Sequence, residues 1–379
     1  MKTLKVVTIV GTRPEIIRLS RTMTHLDSCV DQIIVHTGQN YDYELNEIFW
    51  QELELRKPDY FLDADRSSLG AAVGDILKKT EQVLQKEKPD ALLVLGDTNS
   101  CLSAYIAKRM HIPVFHMEAG NRSFDLNVPE EINRKVIDHL ADFNLVYTEH
   151  GRRHLISEGF PHRRIYLTGS PMKEILSYYQ EKIEQSKVLE TLQLEKKSYF
   201  LVSMHREENI DNNENLKSIV TALNLLVEHY KLPVIVSTHP RTRRRIDALS
   251  EQCASHKLIR YMKPFGFLDY IFLQQHAKCV VSDSGTISEE SAILSFPAIS
   301  FRQSMERPEA QDAGTIILSG LNPEVVLSAI EYVINEFDQQ PNYKAAVADY
   351  NIDNTSKRVV KLMLGNTKLS NRWSAINSK

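Results

Sequence analysis

The feature that most constrains this chain is a repeated alternation. Short β-branched runs, each closing on Gly, Thr, Asp or Glu, are separated by segments with apolar residues at helical spacing. KVVTIVG, DQIIVHTG, ALLVLGD, IPVFHMEAG and FNLVYTE form the first set, and stretches such as SLGAAVGDILKKTEQVLQKEK and NSCLSAYIAKRMH lie between them. An unbroken apolar run suits a strand buried on both faces, which is the condition of a parallel sheet covered by helices. The pattern turns a corner at RIYLTGSPM and begins again with YFLVSMHREEN, LPVIVSTHP, LIRYMKP, KCVVSDSGT and FPAISF. The expected fold is α/β: two doubly wound, Rossmann-like domains facing a cleft, hinged near Thr168 to Pro171. Residues 1–169 with 355–379 form the first domain and residues 170–354 the second, the last helix crossing back from about Thr355. A length of 379 residues accommodates two such domains. Ligands of open α/β sheets bind beyond the carboxyl ends of the strands, so the charged tails of these runs are where a site is expected.

Bulk properties narrow the function. The formal net charge of -3 gives no reason to expect a nucleic acid or an anionic membrane as partner. Cys29, Cys101, Cys253 and Cys279 are scattered without a CxxC pair and sit in or beside apolar runs, which reads as reduced thiols. The opening MKTLKVVTIVGTRPE has too short an apolar core for a signal peptide and runs into GTRPE, so it reads as a first strand. No apolar run reaches the length of a membrane span. The expected location is the cytoplasm.

The strongest local signal is VVSDSGTISEES. A strand runs into Ser284-Gly285-Thr286, and helical spacing begins at Ile287. Small residues at such a junction let backbone amides face an anion, and the helix N-terminus adds a favourable field for phosphate. Glu290, one turn on, can accept from ribose hydroxyls. The plainer alternative is an N-cap by Ser284 or Thr286. GTRPEIIR puts Arg13 in the first strand-to-helix turn, as a fork for phosphate or carboxylate or as a surface partner of Glu15. Arg18 follows one turn later, where solvation is the plain reading. The run Arg241, Arg243, Arg244, Arg245 reads as a solvated helix face.

Asp97 ends one strand and Glu118 the next. Glu130 follows Pro129 at a helix start, where an acid is favoured, with Arg134 at i,i+4 as its natural partner. Each acid alone has a structural reason. Three from consecutive loops crowd like charge together, a cost that function can explain. Carboxylates in a closing cleft serve as general acid and base, and His205, in SMHREEN of the other half, suits either role. No ligand spacing such as HxxxH points to a metal, and no GxGxxG follows a strand. No cofactor is expected.

Taken together, GTRPEIIR, GDTNS, MEAGNR, PEEINR, TGSP, HREEN, STHPR, SDSGTISEE and ERPEA resemble, in order and over essentially the whole chain, the non-hydrolysing UDP-N-acetylglucosamine 2-epimerase family. The resemblance implies a glycosyltransferase-B architecture and a homodimer. It implies catalytic roles for Asp97, Glu118, Glu130 and His205, and uridine-diphosphate contacts for Arg13, Ser284, Gly285, Thr286 and Glu290. Tyr270, in KPFGFLDY, falls where the family packs a ring near uracil; Arg18 and Arg134 complete the candidate substrate-binding set. The extended pattern is most similar to the branch making UDP-N-acetyl-L-fucosamine for capsule and O-antigen, by epimerising carbon 2 of UDP-2-acetamido-2,6-dideoxy-L-talose. Arg18 stands where the plain N-acetylglucosamine epimerases usually carry lysine, and Asn121 where leucine is usual. GQNYDYE replaces their typical polar loop, and Ser123 stands where the fucosamine branch often has cysteine.

The reaction implied is demanding, because carbon 2 of a UDP-sugar is not acidic while carbon 1 is an acetal. Transient oxidation needs a nicotinamide, for which the chain shows no fingerprint. The remaining route is loss of UDP to a glycal and its re-addition, for which anions near carbon 1 and two proton carriers at carbon 2 are the required equipment. Two other classes share part of this sequence logic. A UDP-sugar-dependent glycosyltransferase would need an acceptor, and a UDP-sugar sensor would tolerate loss of the acids. The alternative substrate within the family is UDP-N-acetylglucosamine, giving UDP-N-acetylmannosamine.

Overall fold

The computed structural model describes residues 4–38, 43–204, 206–238, 240–249, 255–339 and 347–376. The chain divides into two compact units, residues 1–178 with 348–379 and residues 179–347. Each is a parallel α/β unit.

The first unit holds strands β1 (Lys5–Val10), β2 (Asp31–His36), β3 (Tyr60–Phe61), β4 (Ala91–Leu95), β5 (Val114–Ala119), β6 (Phe143–Val146) and β7 (Ile165–Leu167). They form one seven-stranded sheet in the order β3-β2-β1-β4-β5-β6-β7, parallel throughout. Strand order reverses between β1 and β4, so their carboxyl ends flank the switch point of the sheet. The central strands are buried along their whole length, as the unbroken apolar runs require. Each buried Val, Leu or Ile there contributes roughly 1.5–3 kcal/mol.

Helix Arg13–Cys29 buries Ile16, Leu19, Met23 and Leu26, a helical stripe. Helix Thr355–Trp373 returns to this unit and buries Val359 and Met363. Its first turn is tied down by Thr355, whose hydroxyl lies 3.1 Å from the carbonyls of Thr168 and Ser170, and by Ser356, whose amide donates to Glu174 at 2.8 Å. Helix Met172–Tyr178 and the turn Ala348–Asn351 therefore belong to the first unit, so the division falls further along the chain than 169/170 and earlier than 354/355. The reason is burial: Ile175, Leu176 and Tyr350 have their apolar partners there.

The second unit holds β8 (Phe200–Met204), β9 (Val234–Thr238), β10 (Ile259–Met262), β11 (Cys279–Ser282), β12 (Ala298–Ser300) and β13 (Ile317–Leu318). The order is β10-β9-β8-β11-β12-β13, again parallel, with the switch point between β8 and β11. Leu216, Ile219, Leu223 and Leu226 of helix Asn213–Tyr230 and Val326, Ile330 and Val333 of helix Pro323–Gln339 close one core over Val202, Val236 and Val281. The described cysteines, Cys29, Cys101 and Cys279, are free thiols. Among the described residues no helix is long and apolar enough to cross a membrane.

Candidate active site

At the switch point of the first unit the turn after β1 meets the turn after β4. Helix Arg13–Cys29 starts with Pro14 in its first turn, and Glu15 folds back to accept from the amides of Gly11 and Thr12 at 2.5 and 2.8 Å. The other oxygen of Glu15 accepts from the Thr98 hydroxyl, beside Asp97. Glu15 is thereby joined to both turns and is not left for Arg13. Its carboxyl is fully buried, and burial pushes its pKa up to about 7 against the pull of those donors. Arg13 is half-buried and lies over the Phe49 ring, 5.6 Å from its centroid.

Asp97 follows β4. Arg134 donates to its Oδ2 from Nη2 at 2.7 Å and from Nε at 3.1 Å, and Asn133 Nδ2 donates to its backbone carbonyl at 2.9 Å. Burial pushes the Asp97 pKa up; the charges of Glu118 and Glu130 add to that, and Arg134 opposes it. Glu118 sits where β5 slips register against β6, with φ +66, in the left-handed region. A bulged, left-handed glutamate costs about 1–3 kcal/mol, a strain typical of residues whose aim matters. Its carboxylate pairs with Arg18 and accepts from Asn121 Nδ2 at 3.4 Å. Glu130, half-buried in the first turn of helix Pro129–Leu140, completes the set of three acids.

Two expectations are corrected here. Arg18 is not solvated: it is buried and paired with Glu118, because the first turns of its helix face the end of β5. Arg134 does not choose Glu130 at i,i+4; it binds Asp97 and Glu131, the latter at 3.0 Å. Glu131 is buried and also takes the amide and hydroxyl of Ser123, both at 2.9 Å, so the second acid of PEE anchors the preceding loop. Asp125 is engaged locally as well, accepting from the Asn127 amide at 2.9 Å.

In the second unit β11 opens onto Asp283 to Thr286 before helix Ile287–Leu294. Thr286, at the N-cap, makes no side-chain cap bond, whereas Ser284 Oγ accepts from the Thr286 amide at 3.3 Å and lies 2.9 Å from Thr286 Oγ1. A Cβ on Gly285 would come within 2.6 Å of Glu306 Oε1, so only glycine fits without displacing that carboxylate. Glu306 is held by Arg302 at 2.7 Å and Arg206 at 3.1 Å, and Arg307 Nη1 donates to the Gly285 carbonyl at 2.8 Å. Asp283 accepts from the Arg206 amide at 3.0 Å and from Asn209 at 3.1 Å, tying the end of β8 to this turn across the switch point. Glu290 is buried and accepts from Gln274 at 2.6 Å. Tyr270 is half-buried on helix Phe267–His276; burial and then the Glu290 charge hold its phenol well above the usual range. His205, Gln39 to Asp42 of the GQNYDYE loop, and Cys253 lie outside the described residues.

The family model described as UDP-N-acetylglucosamine 2-epimerase matches residues 24–364. The chain belongs to the UDP-N-acetylglucosamine 2-epimerase family. A solved structure, UDP-N-acetylglucosamine 2-epimerase from Rickettsia bellii, is 46% identical with a TM-score of 0.91, covering 97% of this chain and 98% of that one. The Methanocaldococcus jannaschii UDP-GlcNAc 2-epimerase, solved in complex with UDP-GlcNAc and UDP, is 35% identical with a TM-score of 0.87, covering 95% of this chain and 99% of that one. The UDP-2,3-diacetamido-2,3-dideoxy-D-glucuronate 2-epimerase of Pseudomonas aeruginosa is 34% identical over 331 residues, 86% of this chain and 91% of that protein.

This UDP-sugar 2-epimerase, an isomerase, thus carries three acids and two arginines around the carboxyl ends of β1, β4 and β5, and a glycine turn braced by arginines beyond β11. Asp97, partly desolvated and crowded by two further carboxylates, holds its proton more tightly than a solvated acid, which suits proton exchange at carbon. Reading the sequence residue by residue missed Glu15, Glu131, Arg302, Glu306 and Arg307. The available signal was charge set inside otherwise buried stretches, such as FRQSMERPEA after the β12 run, where solvation cannot satisfy it.

Proposed function

We propose that this epimerase acts on UDP-2-acetamido-2,6-dideoxy-L-talose and forms UDP-N-acetyl-L-fucosamine for capsule or O-antigen synthesis. The observation that carries the reading is that Arg18 and Asn121, two departures from the plain N-acetylglucosamine pattern, both converge on the carboxylate of Glu118. An arginine fork is not interchangeable with a lysine ammonium, and an amide in place of leucine adds a donor and an acceptor beside the proposed catalytic acids. Both changes therefore alter the surroundings of Glu118 where sugar selectivity can be set.

In this reading the anomeric C1–O bond breaks first and its electron pair leaves with the UDP oxygen. Carbon 1 gains oxocarbenium character, which Glu118 and its neighbours stabilise, and a carboxylate takes the proton of carbon 2 as the C1=C2 bond forms. Asp97 and Glu130 are the two proton carriers. Protonation of carbon 2 from the opposite face and return of the UDP oxygen to carbon 1 complete the epimerisation. The Ser284–Thr286 turn and Glu290 hold the nucleotide, with Arg13 and His205 on the departing diphosphate and Tyr270 near the uracil. The active form is a cytoplasmic homodimer.

A second reading is supported by the names of the two solved relatives above: UDP-N-acetylglucosamine as substrate. A pocket suited to a 6-deoxy methyl leaves the extra hydroxyl of N-acetylglucosamine unpaired, at a cost of about 1–3 kcal/mol. The expected ratio of specificity constants is at least roughly tenfold in favour of the L-talose sugar. Proton NMR in deuterated water with both UDP-sugars at equal concentration measures it. A ratio of one or below assigns the chain to UDP-N-acetylglucosamine, and retention of the substrate hydrogen at carbon 2 removes the elimination route.

A further inference from the structure

Beneath the acids of the first unit lies a fully buried polar cluster for which the reaction as described has no use. His116, on β5, presents Nε2 to the Gly96 carbonyl at 2.8 Å and Nδ1 to Asp138 Oδ1 at 3.0 Å. A carbonyl oxygen only accepts, so Nε2 carries a hydrogen and the second nitrogen faces the carboxylate. Asp138 also accepts from the Gly120 amide at 3.2 Å and from Arg122 Nη1 at 2.7 Å. Arg122 is held in turn by Glu158, at 2.6 and 2.7 Å.

The connections of this cluster are specific. Gly96 is the residue before Asp97, and its carbonyl belongs to the peptide group that carries the Asp97 amide. Gly120 lies two residues after Glu118. Both glycines have left-handed backbones, φ +78 and +79, and a Cβ on Gly120 would lie 2.3 Å from the Gly151 carbonyl oxygen. The two turns are thus pinned at one point each, and both pins end on the same pair of side chains. If its only task were to pack β5 against helix Pro129–Leu140, apolar side chains would do so without the cost of burying charge.

We propose that His116, backed by Asp138, is a positioning residue that fixes the Asp97 turn and the Glu118 turn relative to each other. The inference rests on the reading that Asp97 and Glu118 act at the sugar. Proton transfer at carbon tolerates little misplacement of the acid, so loosening either turn lowers the chemical step more than binding.

The test uses two replacements that divide the functions of the imidazole. His116→Gln places an amide N–H near the Nε2 position and keeps a donor for Gly96, whereas His116→Asn places its amide near the Nδ1 position, beside Asp138, and cannot reach Gly96. Each purified full-length variant is assayed with whichever of the two UDP-sugars the native protein turns over, alongside UDP affinity and thermal unfolding. His116→Asn is expected to lose at least about thirtyfold in kcat, with KM and UDP affinity within about threefold of native. His116→Gln is expected to regain kcat to within about threefold of native. Equal kcat for the two variants, or a loss confined to KM and UDP affinity, overturns the proposal. If His116→Asn does not fold, Asp138→Asn, which keeps an acceptor for Gly120, takes its place with the same expected split, and a loss confined to KM overturns the proposal there too. An Asp97→Asn control separates the two levels. Native turnover in that control removes Asp97 from the chemistry and takes this proposal with it, whereas loss there with native turnover in His116→Asn removes only the positioning role.

Discussion

Arg134 reaches Asp97 twice, through Nη2 and Nε, and both bonds fall on the same carboxylate oxygen, Oδ2. Charge-assisted bonds of this kind favour the ionised acid, and here they oppose burial and the charges of Glu118 and Glu130. The proton affinity of Asp97 is a balance in which the Arg134 cation is what favours the ionised acid. Removing that cation has a signed consequence. Arg134→Met raises the Asp97 pKa further, so the acidic limb of kcat/KM moves to higher pH. Arg134→Lys keeps a cation and moves it less. Rate profiles between about pH 5 and 9 for the three proteins make the comparison, and an unmoved limb in Arg134→Met would return Asp97 to a structural role.

Asp97→Asn and Glu130→Gln preserve size and most hydrogen bonding while removing proton exchange. Turnover of either variant is expected to fall by roughly a hundredfold or more, with UDP affinity unchanged. Incorporation of deuterium at carbon 2 should fall in parallel. Isothermal titration with UDP and NMR of the sugar give the two readouts.

Glu15 makes stability depend on pH. Its folded pKa of about 7 lies above the ordinary glutamate value of 4.5, so folding favours the protonated form. The stability this form contributes is complete below about pH 4.5 and is lost as pH rises to about 7 and beyond, by at most ~3 kcal/mol. Glu15→Gln cannot ionise and escapes that loss. The difference in stability, variant minus native, should therefore be more positive at pH 8 than at pH 5 by denaturant titration. A difference independent of pH would show that the carboxyl ionises as readily folded as unfolded.

Gly285→Ala places a methyl against Glu306, which Arg302 and Arg206 hold in place. The turn must move or the carboxylate must leave its partners, at a cost of about 1–3 kcal/mol. UDP affinity is expected to fall about tenfold, with a lower unfolding temperature. Calorimetric titration checks the first and a thermal melt the second; unchanged UDP affinity would place the nucleotide phosphates elsewhere.

Much of this protein was legible in its sequence. Unbroken runs such as ALLVLGD and KCVVSDSGT state by themselves that a strand is buried on both faces, and residues between them at helical spacing state that helices cover it. The two-residue strands β3 and β13 were not legible, because Tyr60–Phe61 and Ile317–Leu318 are edge pairs with no periodicity to count. Asp97, Glu118 and Ser284 could be placed at strand ends, since strand ends are local features. Which charge pairs with which could not be placed. Sequence spacing offered Glu130 to Arg134, and it left Arg18 to solvent. The fold instead sets Arg134 on Asp97, Arg18 on Glu118 and Glu15 on the amides of the first turn. Hydrophobic periodicity acts over a few residues and fixes element type and buried face. Ion pairing in a low-dielectric interior depends on which strand ends the sheet order sets side by side, and only the β3-β2-β1-β4-β5 arrangement brings the turns after β1, β4 and β5 together.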